Sequence, residues 1–409
     1  MKRSLLLFLT CLLAASGCGV IRGLKAVKHL GKAELDTTDY LTEIPFELKA
    51  GHILLKVRIN KKEERDFFFD TGAPTAISPD LRRDMDLPFM NAGQKDDSTS
   101  IILPTVAEIQ LSDLIYTDVG AVEVDTKEMF ARSCSVIDGL VGNNMMSKGI
   151  WQIDYEKNKL VVTDHINKLD HVEGAIMLPF ETSSISKSPV LDVQLDNGRH
   201  VRLVVDTGSN SGITFNTPDN NEFVSSFHSD SLSEFYTKGY TSILGKEVAD
   251  QQNTAYIISS QLRFADVNMP SELITYGRYK NFNDNKNGVI GNEFLKSYIV
   301  TIDWQTHVLY LYRFKEMKAR TGNFGFLYGF DNKKLLVGAV FKDSDVAKAG
   351  VAVGDEVTEI NGYKVAELTA QQLCDYMNDK FVLLPREKLS ARFVLLTRNG
   401  KVELDLARK

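Results

Sequence analysis

Cysteine is scarce in this chain, with four in 409 residues, at Cys11, Cys18, Cys134 and Cys374. The first two lie in or beside an apolar N-terminal stretch. The remaining two are far apart, which excludes the dense disulfide framework of small secreted domains and predicts lone thiols in different domains. Histidine is sparse as well, and the seven present form no His-Glu-x-x-His pattern, so a zinc hydrolase has no ligand set. No metal and no cofactor is expected. Basic charge is not in excess: the formal net charge is −6, and without residues 1–17, whose only charges are Lys2 and Arg3, it becomes −8. That balance offers no footprint for nucleic acid. Low-complexity tracts are absent, and 43% hydrophobic with 25% charged residues describes a globular chain of two or three domains.

Long apolar runs are also missing. The longest, Leu5–Ala15, follows a positive Met1-Lys2-Arg3 and is too short to span a bilayer as a helix. Leu13-Ala14-Ala15-Ser16-Gly17-Cys18 resembles a bacterial lipoprotein signal, which implies removal of residues 1–17 and lipidation of Cys18. A plain secretory signal with an incidental cysteine is the alternative, and both readings export the protein. Residues 18–39 are basic, then mixed, and read as a tether.

What the chain does have is an internal repeat. Ile44-Pro45-Phe46-Glu47 returns as Leu178-Pro179-Phe180-Glu181. Downstream, two apolar runs end alike, as Phe67-Phe68-Phe69-Asp70-Thr71-Gly72-Ala73 and Leu203-Val204-Val205-Asp206-Thr207-Gly208-Ser209. A second block, Gly139-Leu140-Val141-Gly142-Asn143, matches Gly288-Val289-Ile290-Gly291-Asn292. In both copies 15 residues separate the first glycine from the next Ile-Asp, at Asp154 and Asp303. These matches define two mostly β units, 40–164 and 174–313.

An isolated Asp-Thr-Gly is weak evidence, because strands often end in turn residues. Two copies in matched surroundings suggest a pair. Two carboxylates a few ångströms apart cannot both ionise cheaply and share one proton over a wide pH range. The ionised partner can then take a proton from a water while the other donates to a carbonyl. Threonine supplies a hydroxyl to lock facing loops together, and glycine permits close approach.

Asp70-Thr71-Gly72-Ala73 and Asp206-Thr207-Gly208-Ser209, each with its downstream apolar-apolar-Gly block, resemble aspartic proteases of the pepsin and retropepsin class. The likeness is strongest to bacterial proteins with retropepsin-like domains. It implies a two-lobed, pseudo-twofold, mostly β fold in which Asp70 and Asp206 are catalytic. Thr71, Gly72, Ala73, Thr207, Gly208 and Ser209 would support them, above Val141-Gly142 and Ile290-Gly291, and the partner would be a polypeptide substrate. The two halves differ at Ala73 and Ser209. A Ser209 hydroxyl bonded to the Asp206 carboxylate would lower its pKa and leave the shared proton on Asp70. Substrate-covering hairpins are expected near 93–101 and 239–245, with Tyr240 as a candidate contact.

Beyond a basic linker the pattern changes. Val346-Ala347-Lys348-Ala349-Gly350, Val353-Gly354-Asp355 and Glu359-Ile360-Asn361-Gly362 give residues 322–409 a likeness to an α+β PDZ domain of the bacterial type. The resemblance implies that peptide C-termini bind there, cradled by the loop containing Phe324, Gly325 and Phe326. The whole reads as an exported aspartic endopeptidase, an outer-membrane lipoprotein facing the periplasm of a Gram-negative bacterium. The alternative is a catalytically inactive peptide-binding scaffold.

Overall fold

The computed structural model describes residues 23–408 apart from 93–100, 127–135, 185, 216–219, 239–251, 278–287, 316–322, 332–333, 379–382 and 385–387. The signal segment, Cys18, Cys134, the tips of both expected hairpins and Tyr240 lie outside the described residues. The chain is mostly β, in two lobes related by a pseudo-twofold axis, followed by a smaller α+β domain.

The axis is visible in a six-stranded sheet to which each lobe contributes three strands. Their order is Ile176–Pro179, Val308–Arg313, Tyr298–Asp303, Ile150–Asp154, Lys159–Thr163, Leu41–Pro45. Because Asp154 and Asp303 occupy equal places in the repeat, Gln152 and Thr301 are equivalent to one another. They also stand opposite each other in the central antiparallel pair, so the axis passes between them. Gln152 Nε2 donates to Thr301 Oγ1 at 2.9 Å, and both side chains are buried.

The repeated blocks have packing reasons. Phe46 meets Tyr155 edge-on at 6.2 Å, and Phe180 meets Trp304 in the same way at 6.4 Å. The Phe46 amide donates to Asn158 O at 3.0 Å and the Phe180 amide to His307 O at 2.9 Å. Asp154 and Asp303 accept from the backbone of the two turns that follow them. These repeated aspartates therefore hold hairpins and are not site residues. One continuous hydrophobic core runs through both lobes.

The expected tether is only partly one. Residues 23–30 are helical, His29 is buried with Nε2 2.8 Å from Pro104 O, and Glu34–Leu35 pairs with Tyr116 and Thr117 of the first lobe. Asn144 Nδ2 also donates to Lys32 O at 2.8 Å. These are backbone and single-residue contacts, which leave no periodic apolar signal to read.

In the C-terminal domain, Lys334–Phe341 pairs with Phe326–Asp331 on one edge. On its other edge it pairs with Glu356–Ile360 and, at its end, with Leu232–Lys238 of the second lobe. Phe235 lies opposite Phe341, their rings 5.5 Å apart, and Thr237 Oγ1 donates to Gly338 O at 3.0 Å. The domain thus continues the second lobe's sheet. Its helix Ala370–Met377 starts in a capping box between Thr369 and Gln372 and buries Leu373.

Cys374, in that helix, is disulfide-bonded, which corrects the expectation of a lone thiol. The domain also docks on the first lobe. Asn378 Oδ1, one turn beyond Cys374, accepts from the Ala50 amide at 2.8 Å. Alkylating the unfolded, unreduced protein should leave Cys374 unmodified by peptide mass spectrometry. Labelling of Cys374 without reductant would contradict the disulfide.

Candidate active site

Each aspartate is delivered by a buried strand held between two others. Glu64–Phe69 runs parallel to Gly139–Val141, and Ala76–Ile77 closes the far side of Gly139–Val141 antiparallel. In the second lobe His200–Val205, Gly288–Ile290 and Ile213–Phe215 repeat the arrangement. Strands covered on both faces need continuous apolar runs, which accounts for Phe67-Phe68-Phe69 and Leu203-Val204-Val205. The chain leaves each strand in register, with Asp70 N donating to Val141 O at 3.0 Å and Asp206 N to Ile290 O at 2.9 Å.

The two turns then lock together. Thr71 Oγ1 donates to Val205 O at 2.8 Å and accepts from Thr207 N at 3.0 Å. Thr207 Oγ1 donates to Phe69 O at 3.0 Å and accepts from Thr71 N at 3.1 Å. Both threonines are fully buried. Four hydrogen bonds therefore cross between the lobes through two hydroxyl groups.

This grip brings the carboxyl groups together. A Cβ on Gly72 would lie 2.5 Å from Asp206 Cγ, and one on Gly208 would lie 2.5 Å from Asp70 Cγ. Each glycine is the floor for the opposite aspartate, so neither position can carry a side chain. Asp70 is buried, at 8% exposed, whereas Asp206 is half-buried. Burial, and after it the Asp206 charge, push the Asp70 carboxyl well above the usual carboxylate range. A hydrogen bond between the two carboxyls acts the same way, against the amides of Gly72 and Ala73. The folded state thus holds this proton more tightly than the unfolded chain. The resulting stabilisation is present in acid and is lost as pH rises through the elevated value.

Ser209 does not play the part expected of it. Its hydroxyl pairs with that of Ser211 at 2.8 Å and accepts from the Ser211 amide at 3.3 Å. The inequality between the halves lies in burial, not in a serine–carboxylate bond. Ala73 packs partly buried against the Leu54, Phe68 and Leu140 cluster and accepts from Asn143 N at 3.0 Å.

Two supporting residues were not singled out from the sequence. Asn143 Nδ2 donates to Thr71 O at 2.7 Å and to Ser188 Oγ, in the other lobe, at 3.2 Å. Asn292 Nδ2 donates to Thr207 O at 2.6 Å and to Gly51 O, again in the other lobe, at 3.0 Å. Tyr155 from the first lobe donates to Asn292 Oδ1 at 2.7 Å. The signal was available, since an asparagine follows the second glycine of both repeated blocks. His52, beside this junction, stacks on Phe68 at 4.8 Å, and burial lowers its pKa to about 4, leaving the ring neutral.

Phe89–Asn91 pairs with Ile102–Leu111 and Leu232–Lys238 with Gln252–Phe264, flanking the segments expected to cover the substrate. In the C-terminal domain Phe324 and Phe326 are buried against Phe393, so their side chains are not presented to solvent. Gly325 adopts φ 87°, and its amide donates to Asn323 Oδ1 at 2.7 Å. Strand Phe326–Asp331 has a single strand neighbour among the described residues. Among the same residues Asp39, Asp164 and His165 cluster, but the Lys168 ammonium lies 2.6 Å from Asp39 and 3.2 Å from Asp164 and supplies their countercharge.

No protein-family model matches the chain, and no curated protein matches it in sequence. Among solved structures, an aspartic proteinase from Irpex lacteus is similar to it with a TM-score of 0.41 and 10% identity. The match covers 68% of this chain and 99% of that one.

Replacing Thr71 by Val should orphan the buried Val205 carbonyl and Thr207 amide and cost about 2–6 kcal/mol in denaturant unfolding, at about 1–3 kcal/mol per group. Thr71→Ser should recover most of the loss. A valine variant within about 0.5 kcal/mol of the parent would show that the grip contributes little.

Proposed function

We propose that the protein is an exported aspartic endopeptidase. The observation that carries this reading is the carboxyl pair itself, in which Asp70 and Asp206 come from different lobes, touch, and differ in burial. With the shared proton on Asp70, Asp206 is the ionised partner. A water between them gives a proton to Asp206 as its oxygen attacks the peptide carbonyl carbon, and Asp70 donates its proton to the carbonyl oxygen. Collapse of the tetrahedral intermediate breaks the C–N bond. Asp206 returns a proton to the leaving nitrogen, and Asp70 recovers one from the hydroxyl. No covalent enzyme intermediate is required.

The C-terminal domain fits the role of a peptide-recruiting PDZ module. An extended segment would add beside Phe326–Asp331, next to helix Ala370–Met377, with its carboxylate at the Phe324–Phe326 amides. Asn323 Oδ1 already occupies the Gly325 amide, so a ligand carboxylate would have to displace it. Export and a lipid at Cys18 are part of the same reading, and a disulfide at Cys374 suits an oxidising compartment. None of the described helices is long and apolar enough to cross a membrane.

Purified protein incubated with an unfolded polypeptide should cleave it, with inhibition by pepstatin. Asp70→Asn and Asp206→Asn should each lower the rate by about 10³-fold or more. Because catalysis needs one carboxyl protonated and Asp70 holds its proton well above the usual range, the alkaline limb should fall at correspondingly higher pH. Cleavage that survives both substitutions would overturn the dyad. Binding of peptide C-termini without cleavage at any pH would favour the inactive scaffold.

A further inference from the structure

The turn after Asp206 is held from outside its own lobe. Asn210, four residues beyond the aspartate, donates through Nδ2 to Ala50 O of the first lobe and lies 2.9 Å from His52 Nε2. The next peptide unit, at Gly51 O, accepts from Asn292, the residue that also grips Thr207 O. Two successive peptide units of one hairpin turn, Lys49 to His52, thus bear on the turn that presents Asp206.

That hairpin turn is not an easy one to keep. Ala50 has φ 47° and Gly51 φ 81°. A left-handed alanine costs about 1–2 kcal/mol, so the conformation depends on what fixes it. A Cβ on Gly51 would sit 2.8 Å from Asn210 Oδ1, so the approach is already close. The corresponding turn of the second lobe, Ser183 to Ser188, closes on itself. There Ser183 N donates to Ser188 O at 2.9 Å, Ser188 N donates to Ser183 Oγ at 3.1 Å, and the Ser186 and Ser188 hydroxyls pair at 2.6 Å.

The first-lobe turn, whose strands pair Lys49 with His52, is in addition braced by the C-terminal domain. The Ala50 amide donates to Asn378 Oδ1 at 2.8 Å, across 328 residues of sequence. Asn378 is the C-cap of helix Ala370–Met377, and its side-chain Nδ2 donates to Cys374 O at 2.7 Å, which fixes which way Oδ1 points. The helix carries the disulfide at Cys374, and the domain is held by its pairing with Leu232–Lys238.

We propose that Asn378 is a positioning residue for Asp206, so that the C-terminal domain completes the active site. The proposal rests on the aspartic peptidase reading. It adds to that reading a role for the third domain that does not depend on any peptide it binds. The active pair is completed by a residue 172 positions beyond Asp206 in a different fold unit.

The test uses the full chain with Asn378→Ala and Asn378→Asp. Alanine removes the acceptor, whereas aspartate keeps an oxygen for the Ala50 amide. The alanine variant should lose about tenfold in kcat with KM within about twofold, and its pH–rate profile should shift. The aspartate variant should return kcat to within about twofold of the parent. Asn378→Ala combined with Asn210→Ala should lose little more than either alone, because both break one path. If Asn378→Ala does not fold, Asn378→Ser, whose oxygen falls short of the Ala50 amide, takes its place. An alanine variant with the parent's kcat and pH profile would overturn the proposal. Should the parent cleave nothing, the peptidase reading fails and amide hydrogen exchange decides the positioning role. Exchange at Ala50 and at 207–210 should speed up in Asn378→Ala and recover in Asn378→Asp, and unchanged exchange at 207–210 would refute it.

Discussion

Two carboxyl groups in contact in a poorly solvated site repel one another unless a proton is shared, and one shared proton does not by itself hold two lobes together. Thr71 and Thr207 supply the grip. Each hydroxyl donates to a carbonyl behind the opposite aspartate and accepts from the opposite threonine's amide. A hydroxyl can do both at once, and it fits where backbones must nearly touch. Ser would fit with a looser rotamer, Val would match the shape without the bonds, and a larger residue would part the turns. Around that grip the other features have clear purposes. The glycines are floors for the opposite carboxyls, the buried strands are rails, and Asn143 and Asn292 are struts from each threonine carbonyl to the other lobe.

The symmetry is close where the lobes meet and broken where the chemistry needs it. At the axis Gln152 faces Thr301, and the aromatic pairs Phe46–Tyr155 and Phe180–Trp304 are nearly superposable in distance and angle. At the site, Asp70 is buried and Asp206 half-buried. A shared proton divided between unequal groups has a preferred seat, which is the inequality that the proposed acid and base roles require. The supporting turns are unequal too, since the first-lobe one also leans on the C-terminal domain. The asymmetry of the pair thus extends to the domain that follows it.

Much of this was legible in the sequence because duplication prints the same constraint twice. The paired Asp-Thr-Gly, the Pro-Phe-Glu blocks and the equal spacing to Asp154 and Asp303 each correspond to a contact repeated in both lobes. What escaped reading was made by single polar side chains reaching across long separations, such as His29 to Pro104, Asn210 to Ala50 and Asn378 to Ala50. Such contacts have no period, and one cysteine gives no hint of its partner. The serine after Gly208 misled for a related reason. Proximity in sequence to Asp206 suggested a bond to its carboxylate, but a second hydroxyl two residues on was better placed.

The central claim is that Asp70 and Asp206 share one proton well above the usual carboxylate range, seated on Asp70. Infrared difference spectroscopy of the carboxyl C=O stretch tests it most directly. The account predicts that, on raising the pH, a protonated-carboxyl band persists in the parent protein after ordinary carboxyls have ionised, and that it disappears in Asp70→Asn. A parent spectrum without such a band, or a band that Asp70→Asn leaves untouched, would contradict it.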